Sequence, residues 1–242
     1  MNLRIARIAD NLFALGTVFS AVYCLNTDEG LILIDTGAYW DRRRILRQLR
    51  QLFGQPLRFR AVLLTHAHLD HDGNALFLQR HFGAKIVCSP VEGAYAQKVD
   101  RVDRTKFASL PLGGRLFLKF MMRITPQPLY EPDQLVQDGE LIYGFRVYDA
   151  PGHTPGSLIY RHEASNTLFS GDTLLNAIPP WTFQNSLAMP EAAFASDYQQ
   201  VLNSLARLHE IPFDNLAPGH GPPIIGQADQ KIRAFLAGKK RS

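Results

Sequence analysis

Short apolar runs alternate with longer amphipathic stretches along the whole chain. "LFALG" (12–16), "VFSAVYCLN" (18–26) and "LILIDTG" (31–37) are brief apolar or β-branched runs separated by Gly, Asn and Asp. This pattern predicts an opening antiparallel meander. In "DRRRILRQLRQLFG" (41–54) Ile45, Leu46, Leu49, Leu52 and Phe53 recur at helical spacing before a glycine, which predicts a helix with an outward basic face. "RAVLLT" (60–65) reads as a buried strand, 72–83 as a helix closed by Gly83, and "AKIVCS" (84–89) as another strand. Pro90 suits the first turn of a further helix.

"GGRLFLKFMMRITP" (113–126) predicts an apolar helix on which Arg115, Lys119 and Arg123 form one charged stripe. Strand patterns resume at "ELIYGFRVYDAPG", "GSLIYRHE" and "NTLFSGD". A long helix is expected over 190–210, a strand and loop at "FDNLAPGHG", and a closing helix at "QADQKIRAFLAG". Strands precede helices in two similar halves. The expected architecture is therefore α/β (α+β), with two mixed β-sheets face to face and helices outside.

Composition narrows the class without naming a function. The 242 residues carry 46% hydrophobic and 20% charged side chains, as in an ordinary globular protein, and suffice for one large domain. The formal charge of +4 gathers at 41–50 and 238–242, where a solvated helix face and a frayed terminus account for it. The N-terminal stretch lacks a secretory pattern, and no apolar run reaches bilayer-spanning length. Cys24 and Cys88 sit in strand-like apolar contexts and read as reduced core residues, with a disulfide left open. A cytoplasmic protein without nucleic-acid partner or stable membrane insertion is expected.

One stretch breaks the apolar pattern sharply. "LLTHAHLDHDGN" (63–74) packs His66, His68, Asp70, His71 and Asp72 behind a strand. Two residues apart on extended backbone, His66 and His68 can face the same way, while Asp70 and His71 fall in the turn beyond. Imidazoles and carboxylates together suit Zn²⁺ and similar cations, whose charge would offset the crowded acids. Three distant fragments repeat the placement: His153 in "APGHTPGS", Asp172 in "LFSGDTL" and His220 in "LAPGHGPP" each follow an apolar strand. Structure alone gives no reason to gather so many ionisable groups at strand ends. His81, His162 and His209 lie outside this set and read as surface or satisfied core residues.

The ordered set "LILIDTG", "THAHLDHDG", "APGHTPGS", "FSGDTL" and "APGHG" resembles the metallo-β-lactamase superfamily. The resemblance implies a four-layer αββα sandwich with metals at one edge. It implies that His66, His68 and His153 hold one metal, that Asp70, His71 and His220 hold a second, and that Asp172 bridges them. Asp35 would brace the site from outside the ligand set, with a plain turn residue as the alternative. Two Zn²⁺ ions are expected, with Fe or Mn as alternatives. The implied activity is a dinuclear metal-dependent hydrolase in which a metal-activated hydroxide attacks and Asp70 orients it or takes its proton.

Departures from particular branches narrow the substrate. His68 stands where diiron oxygen-reducing members resemble H-x-E, and Asp172 is an aspartate that true β-lactamases of the family generally lack. Only 22 residues follow His220, which argues against the helical glutathione-binding region of glyoxalase II-type thioesterases. Leu175 stands near the place where lactonases carry a tyrosine; Tyr23, Tyr39, Tyr143 and Tyr160 are the candidates to replace it in space.

A single domain over 1–242 is expected, with a helical cap inserted at about 90–134. Phe117, Phe120, Met121 and Met122 on one side and Trp181 and Phe183 on the other would wall an apolar pocket. Those residues serve equally well as core or as a dimer contact, so a homodimer is left open. The expected substrate is an ester, lactone or thioester of a small, partly apolar molecule. A mononuclear iron sulfur dioxygenase, a phosphodiesterase and a weak β-lactamase are the alternatives.

Overall fold

The computed structural model describes residues 4–98, 112–126, 129–177 and 186–239. Its first half builds one sheet from seven strands: β1 (Ala6–Ala9), β2 (Leu12–Leu15), β3 (Val22–Thr27), β4 (Gly30–Ile34), β5 (Phe59–Leu63), β6 (Lys85–Cys88) and β7 (Gln134–Leu135). They lie side by side in chain order. β1 to β4 pair antiparallel, and β4 to β7 pair parallel. The second half repeats the scheme with β8 (Leu141–Ile142), β9 (Phe145–Asp149), β10 (Leu158–His162), β11 (Thr167–Gly171) and β12 (Asn215–Pro218). There the first four strands are antiparallel, and β12 adds in parallel to β11.

Side-chain alternation sorts the strands into three cores. Tyr23, Ile32, Ile34, Ala61 and Leu63 of the first sheet meet Phe145, Val147, Leu158, Tyr160 and Phe169 of the second. The residues between them point the other way: Val22, Cys24, Leu33 and Val62 pack under α1 (Arg42–Phe53) and α2 (Ala75–Phe82). Ile159, Leu168 and Leu216 pack under α5 (Tyr198–Arg207) and α6 (Ala228–Lys239). The period of two along each strand thus makes both sheets two-faced and dictates the order helix, sheet, sheet, helix. Each fully buried Leu or Ile contributes roughly 1.5–3 kcal/mol to holding these layers together. Two further helices complete the set, α3 (Pro90–Ala96) and α4 (Leu112–Ile124). Among the described residues no helix is long and apolar enough to cross a membrane.

The expected elements recur with three departures. Residues 18–21 do not extend β3, because their backbone is spent on tertiary bonds: Val18 N donates to Asp41 Oδ1 at 3.1 Å and Ala21 N to Gly219 O at 2.7 Å. The helix expected over 190–210 begins only at Tyr198. Asp197 caps it by accepting from Gln200 N, and the preceding 192–194 form a separate 3₁₀ turn. Asp and Ser compete for backbone in this way and favour caps over helix interiors. "ELIYGFRVYD" folds as a hairpin, since Tyr143 and Gly144 both take positive φ, 51° and 84°, as a tight two-residue turn requires.

Cys24 and Cys88 are free and buried in the core beneath α1 and α2. Burial pushes both thiols up, Cys88 to about 12 and Cys24 further. Neither forms appreciable thiolate at neutral pH. A thiol reagent at pH 8 should therefore label neither cysteine in the native protein and both in guanidinium; rapid native labelling would contradict this burial.

Candidate metal centre

The site lies where both sheets end on the same edge. Asp35 directly follows β4, His66 to His71 follow β5, Asp172 directly follows β11, and His220 follows β12. His153 sits in the turn from β9 to β10. The two sheets are pinned together here. Leu158 N donates to Thr65 O at 2.8 Å, Tyr160 Oη to Leu64 O at 3.0 Å, and Tyr23 Oη to Pro218 O at 2.7 Å. Rigid strand ends thereby set the starting points of all the site loops.

His66, His68 and His153 bring three ring nitrogens together. His66 Nε2 lies 3.2 Å from His68 Nδ1, which lies 3.0 Å from His153 Nε2. A second group joins Asp70, His71 and His220. His71 Nε2 and His220 Nε2 are 3.4 Å apart, and Asp70 Oδ2 is 3.7 and 3.5 Å from them. Asp172 stands between the groups. Its Oδ1 is 3.4 Å from His71 Nε2, while Oδ2 is 3.2 Å from His220 Nε2 and 3.4 Å from His153 Nε2.

The ring nitrogens facing away from the cluster decide which nitrogen each neutral ring turns toward it. His71 Nδ1 is 2.8 Å from Asp35 Oδ2, and a carboxylate can only accept, so Nδ1 carries the proton. His220 Nδ1 likewise faces the Phe19 carbonyl at 3.1 Å. Thr65 Oγ1 donates to Asp35 Oδ2 at 2.8 Å, so it accepts from His66 Nδ1 at 3.0 Å. Three of the five imidazoles are thus fixed with Nε2 toward the cluster. His153 Nδ1 is buried and finds no hydrogen-bond partner among the described residues, and its Nε2 faces the cluster.

Asp35 organises much of this from behind. It is buried, adopts a φ of 56°, and accepts from Thr65 N, Thr65 Oγ1 and His71 Nδ1, each at 2.8 Å. A non-glycine residue held in the left-handed region is costly and persists where its surroundings demand it.

The charges are strongly coupled. Burial disfavours charge on His71, but Asp172, Asp70 and Asp35 together outweigh it and hold the ring at about 10 in the metal-free cluster. His220 is raised as well, against burial, chiefly by Asp172. Burial, aided by neighbouring histidines, pushes His66 down and overcomes Asp172 to bring His153 to about 3. Asp172 is held well below the usual carboxylate range, because His220, His71 and His153 outweigh its burial.

These residues fit divalent cations. Ligands about 2.0–2.1 Å from a tetrahedral ion lie roughly 3.3 Å from one another. The nitrogens and oxygens above are 3.0–3.7 Å apart. Asp172 Oδ1 is buried and finds no hydrogen-bond partner among the described residues, an arrangement a cation would satisfy. Five imidazoles and two carboxylates are the donor set of zinc-type metals.

A family model described as Metallo-beta-lactamase superfamily matches residues 15–220. The chain belongs to the metallo-beta-lactamase superfamily. Its αββα layering and its standing as a metal-dependent hydrolase of that superfamily follow. This superfamily chain is 27% identical over 221 residues to "Hydroxyacylglutathione hydrolase GloC" of Haemophilus influenzae, covering 88% of this chain and 90% of that one. It also resembles the crystal structure of TTHA1623 in a di-iron-bound form, at 27% identity and a TM-score of 0.61, covering 88% of this chain and 92% of the other. The structure of BLEG-1, a B3 metallo-beta-lactamase, matches at 26% identity and a TM-score of 0.65, covering 94% and 100% of the two chains.

Phe120 on α4 is 59% exposed. The side chains of Phe117, Met121 and Met122, and all of Trp181 and Phe183, lie outside the described residues. Tyr23 and Tyr160 are buried with their hydroxyls donated to Pro218 O and Leu64 O, so neither is free to meet a substrate. Leu175 pairs with Ala188 in a short bridge.

Some contributors carried no sequence signal. Thr65 fixes His66 only through its contact with Asp35, 30 residues away. The 16–21 loop presents the Phe19 carbonyl to His220, and Ser20 Oγ donates to the Asp70 carbonyl. Long-range contacts of this kind leave no periodicity to read.

Proposed function

We propose that the chain is a dinuclear metal-dependent hydrolase, and that it cleaves a thioester, ester or lactone of a small, partly apolar molecule. The observation that carries this reading is Asp172, whose two oxygens each lie within 3.4 Å of ring nitrogens, Oδ1 beside His71 and Oδ2 beside His153 and His220. A carboxylate shared in that way matches the span between two cations. His66, His68, His153 and Asp172 would hold one; Asp70, His71, His220 and Asp172 would hold the other. Zinc suits this set, and the di-iron form of TTHA1623 makes iron the first alternative. When bound, the metals would make water acidic enough to attack at neutral pH and would polarise the scissile carbonyl.

The chain's own groups supply orientation and proton handling. Asp70 and His220 are the more open members of their group, with side chains 34% and 23% exposed, against none for His71. Substrate therefore approaches over Asp70 and His220. Opposed by burial but outweighed by His71 and His220, Asp70 is held below the usual carboxylate range and is ready to accept a hydrogen bond from the attacking water. As water adds to the acyl carbon, its proton passes to Asp70; as the C–S or C–O bond breaks, that proton leaves with the thiol or alcohol.

A hydroxyacylglutathione thioester is the first substrate to test. The Haemophilus influenzae hydroxyacylglutathione hydrolase matches 88% of this chain over 90% of its own length. Purified protein should hold about two metal equivalents and hydrolyse a hydroxyacylglutathione or a lactone faster than a phosphodiester or β-lactam. One iron with oxygen consumption would favour the dioxygenase reading. Full hydrolysis after exhaustive chelation would end the metal-dependent one.

A further inference from the structure

We infer that Glu92 is a positioning residue that locks together the two loops carrying His66, His68 and His153. The inference rests on the reading of these three histidines as one metal's ligands. Glu92 lies on α3, is 1% exposed, and has no role in the ligand set. Its Oε2 accepts from Ala67 N at 2.7 Å, the peptide between His66 and His68. Its Oε1 accepts from Thr154 Oγ1 at 2.7 Å and from Gly156 N at 2.9 Å, immediately after His153. One carboxylate thus joins segments 25 and 62 residues away in sequence.

The start of α3 reinforces this. "SPVE" (89–92) has the pattern of a capping box, in which the glutamate would reach back to the cap residue. Ser89 does cap, accepting from Glu92 N at 3.2 Å, and its hydroxyl also donates to Gly156 O at 2.7 Å. The Glu92 carboxylate goes instead to the histidine loops. The fit is tight: a Cβ on Gly156 would lie 2.6 Å from Ser89 Oγ and 2.8 Å from Glu92 Oε1. Burying a carboxylate among neutral donors is costly unless its acceptor capacity is used, and here three donors use it. The return is a fixed spacing between His68 Nδ1 and His153 Nε2, which lie in separate loops yet only 3.0 Å apart.

The contact pattern makes Glu92→Gln informative. An amide nitrogen at the Oε2 position would face the Ala67 N–H; at the Oε1 position it would face the Gly156 N–H. Either orientation replaces an acceptor with a donor and releases one loop, with almost no change in volume. Cobalt titration followed by visible absorption reads the two ligand groups without depending on turnover. Wild type should take up two equivalents. Glu92→Gln should lose affinity in one of them by about 10–100-fold, as partners behind metal ligands typically do, and keep the other. Its cobalt spectrum should change in the weakened equivalent, and its melting temperature should stay close to that of Ile232→Val, a variant on the buried face of α6 that should bind both equivalents normally. Two unchanged affinities in Glu92→Gln, or equal weakening of both, would overturn the positioning role alone. A wild type that binds fewer than two equivalents would overturn the dinuclear reading and this inference with it.

Discussion

Asp172→Ala should reduce kcat/KM by more than about 10³-fold, the scale on which removal of a group stabilising developing charge registers. The effect is large because one side chain stands between both groups of candidate ligands. Its oxygens are within 3.4 Å of His71, His153 and His220, and its charge does most to hold the His220 and His71 rings up against their burial. Without it, two imidazole-rich groups face each other with no anion between them. Metal content should fall below two equivalents. Asp172→Asn separates charge from shape: it keeps the volume and one acceptor but loses the carboxylate that both groups share. It should keep the fold, as judged by the melting transition, and still lose most of the activity. Kinetics and elemental analysis on the two variants check this. Two metals and activity within tenfold of wild type in Asp172→Asn would remove Asp172 from the centre.

The sandwich was legible because its strands are short, unbroken apolar runs, as strands covered on both faces must be, and because they precede helices in two similar halves. Leu31, Leu33 and Val62 point to the helices while Ile32, Ile34 and Leu63 point to the other sheet. The histidines and aspartates were legible because each sits in a Gly- or Pro-marked loop just past an apolar strand, so local sequence placed them at one edge. What could not be read depends on contacts between remote segments. Residues 18–21 look like strand but fold as a loop, because Asp41 and Gly219 claim their backbone. Ser196 and Asp197 interrupt an otherwise helical pattern, and their N–H groups are used at 2.9 Å by the carbonyls of His153 and Gly152. In both places local propensity yields to the loops that carry the His and Asp cluster. Asp35 illustrates the middle case: the sequence left it between a turn residue and a brace, and the structure gives it a positive φ and three hydrogen bonds to Thr65 and His71.

Gly219→Ala should lower kcat/KM by about 10²-fold through a single methyl group, since a displacement near 1 Å in a catalytic constellation costs that much. A Cβ on Gly219 would stand 2.1 Å from Asp172 Oδ1 and 2.8 Å from the carbonyl of Gly171. The backbone has little freedom to retreat. Gly219 N donates to Gly171 O at 2.8 Å, and Ala21 N donates to Gly219 O at 2.7 Å. The carboxylate must therefore move, and with it the oxygen facing His71. Overpacking of this kind costs roughly 1–3 kcal/mol of stability as well. Gly238→Ala is the matching control: its new Cβ meets nothing within 4 Å in α6, and helix propensity predicts a gain of up to about 1 kcal/mol with activity unchanged. If the two glycine variants hydrolysed substrate equally well, Asp172 Oδ1 could not occupy the position that makes it a shared ligand, because the methyl on residue 219 and that oxygen cannot both be there.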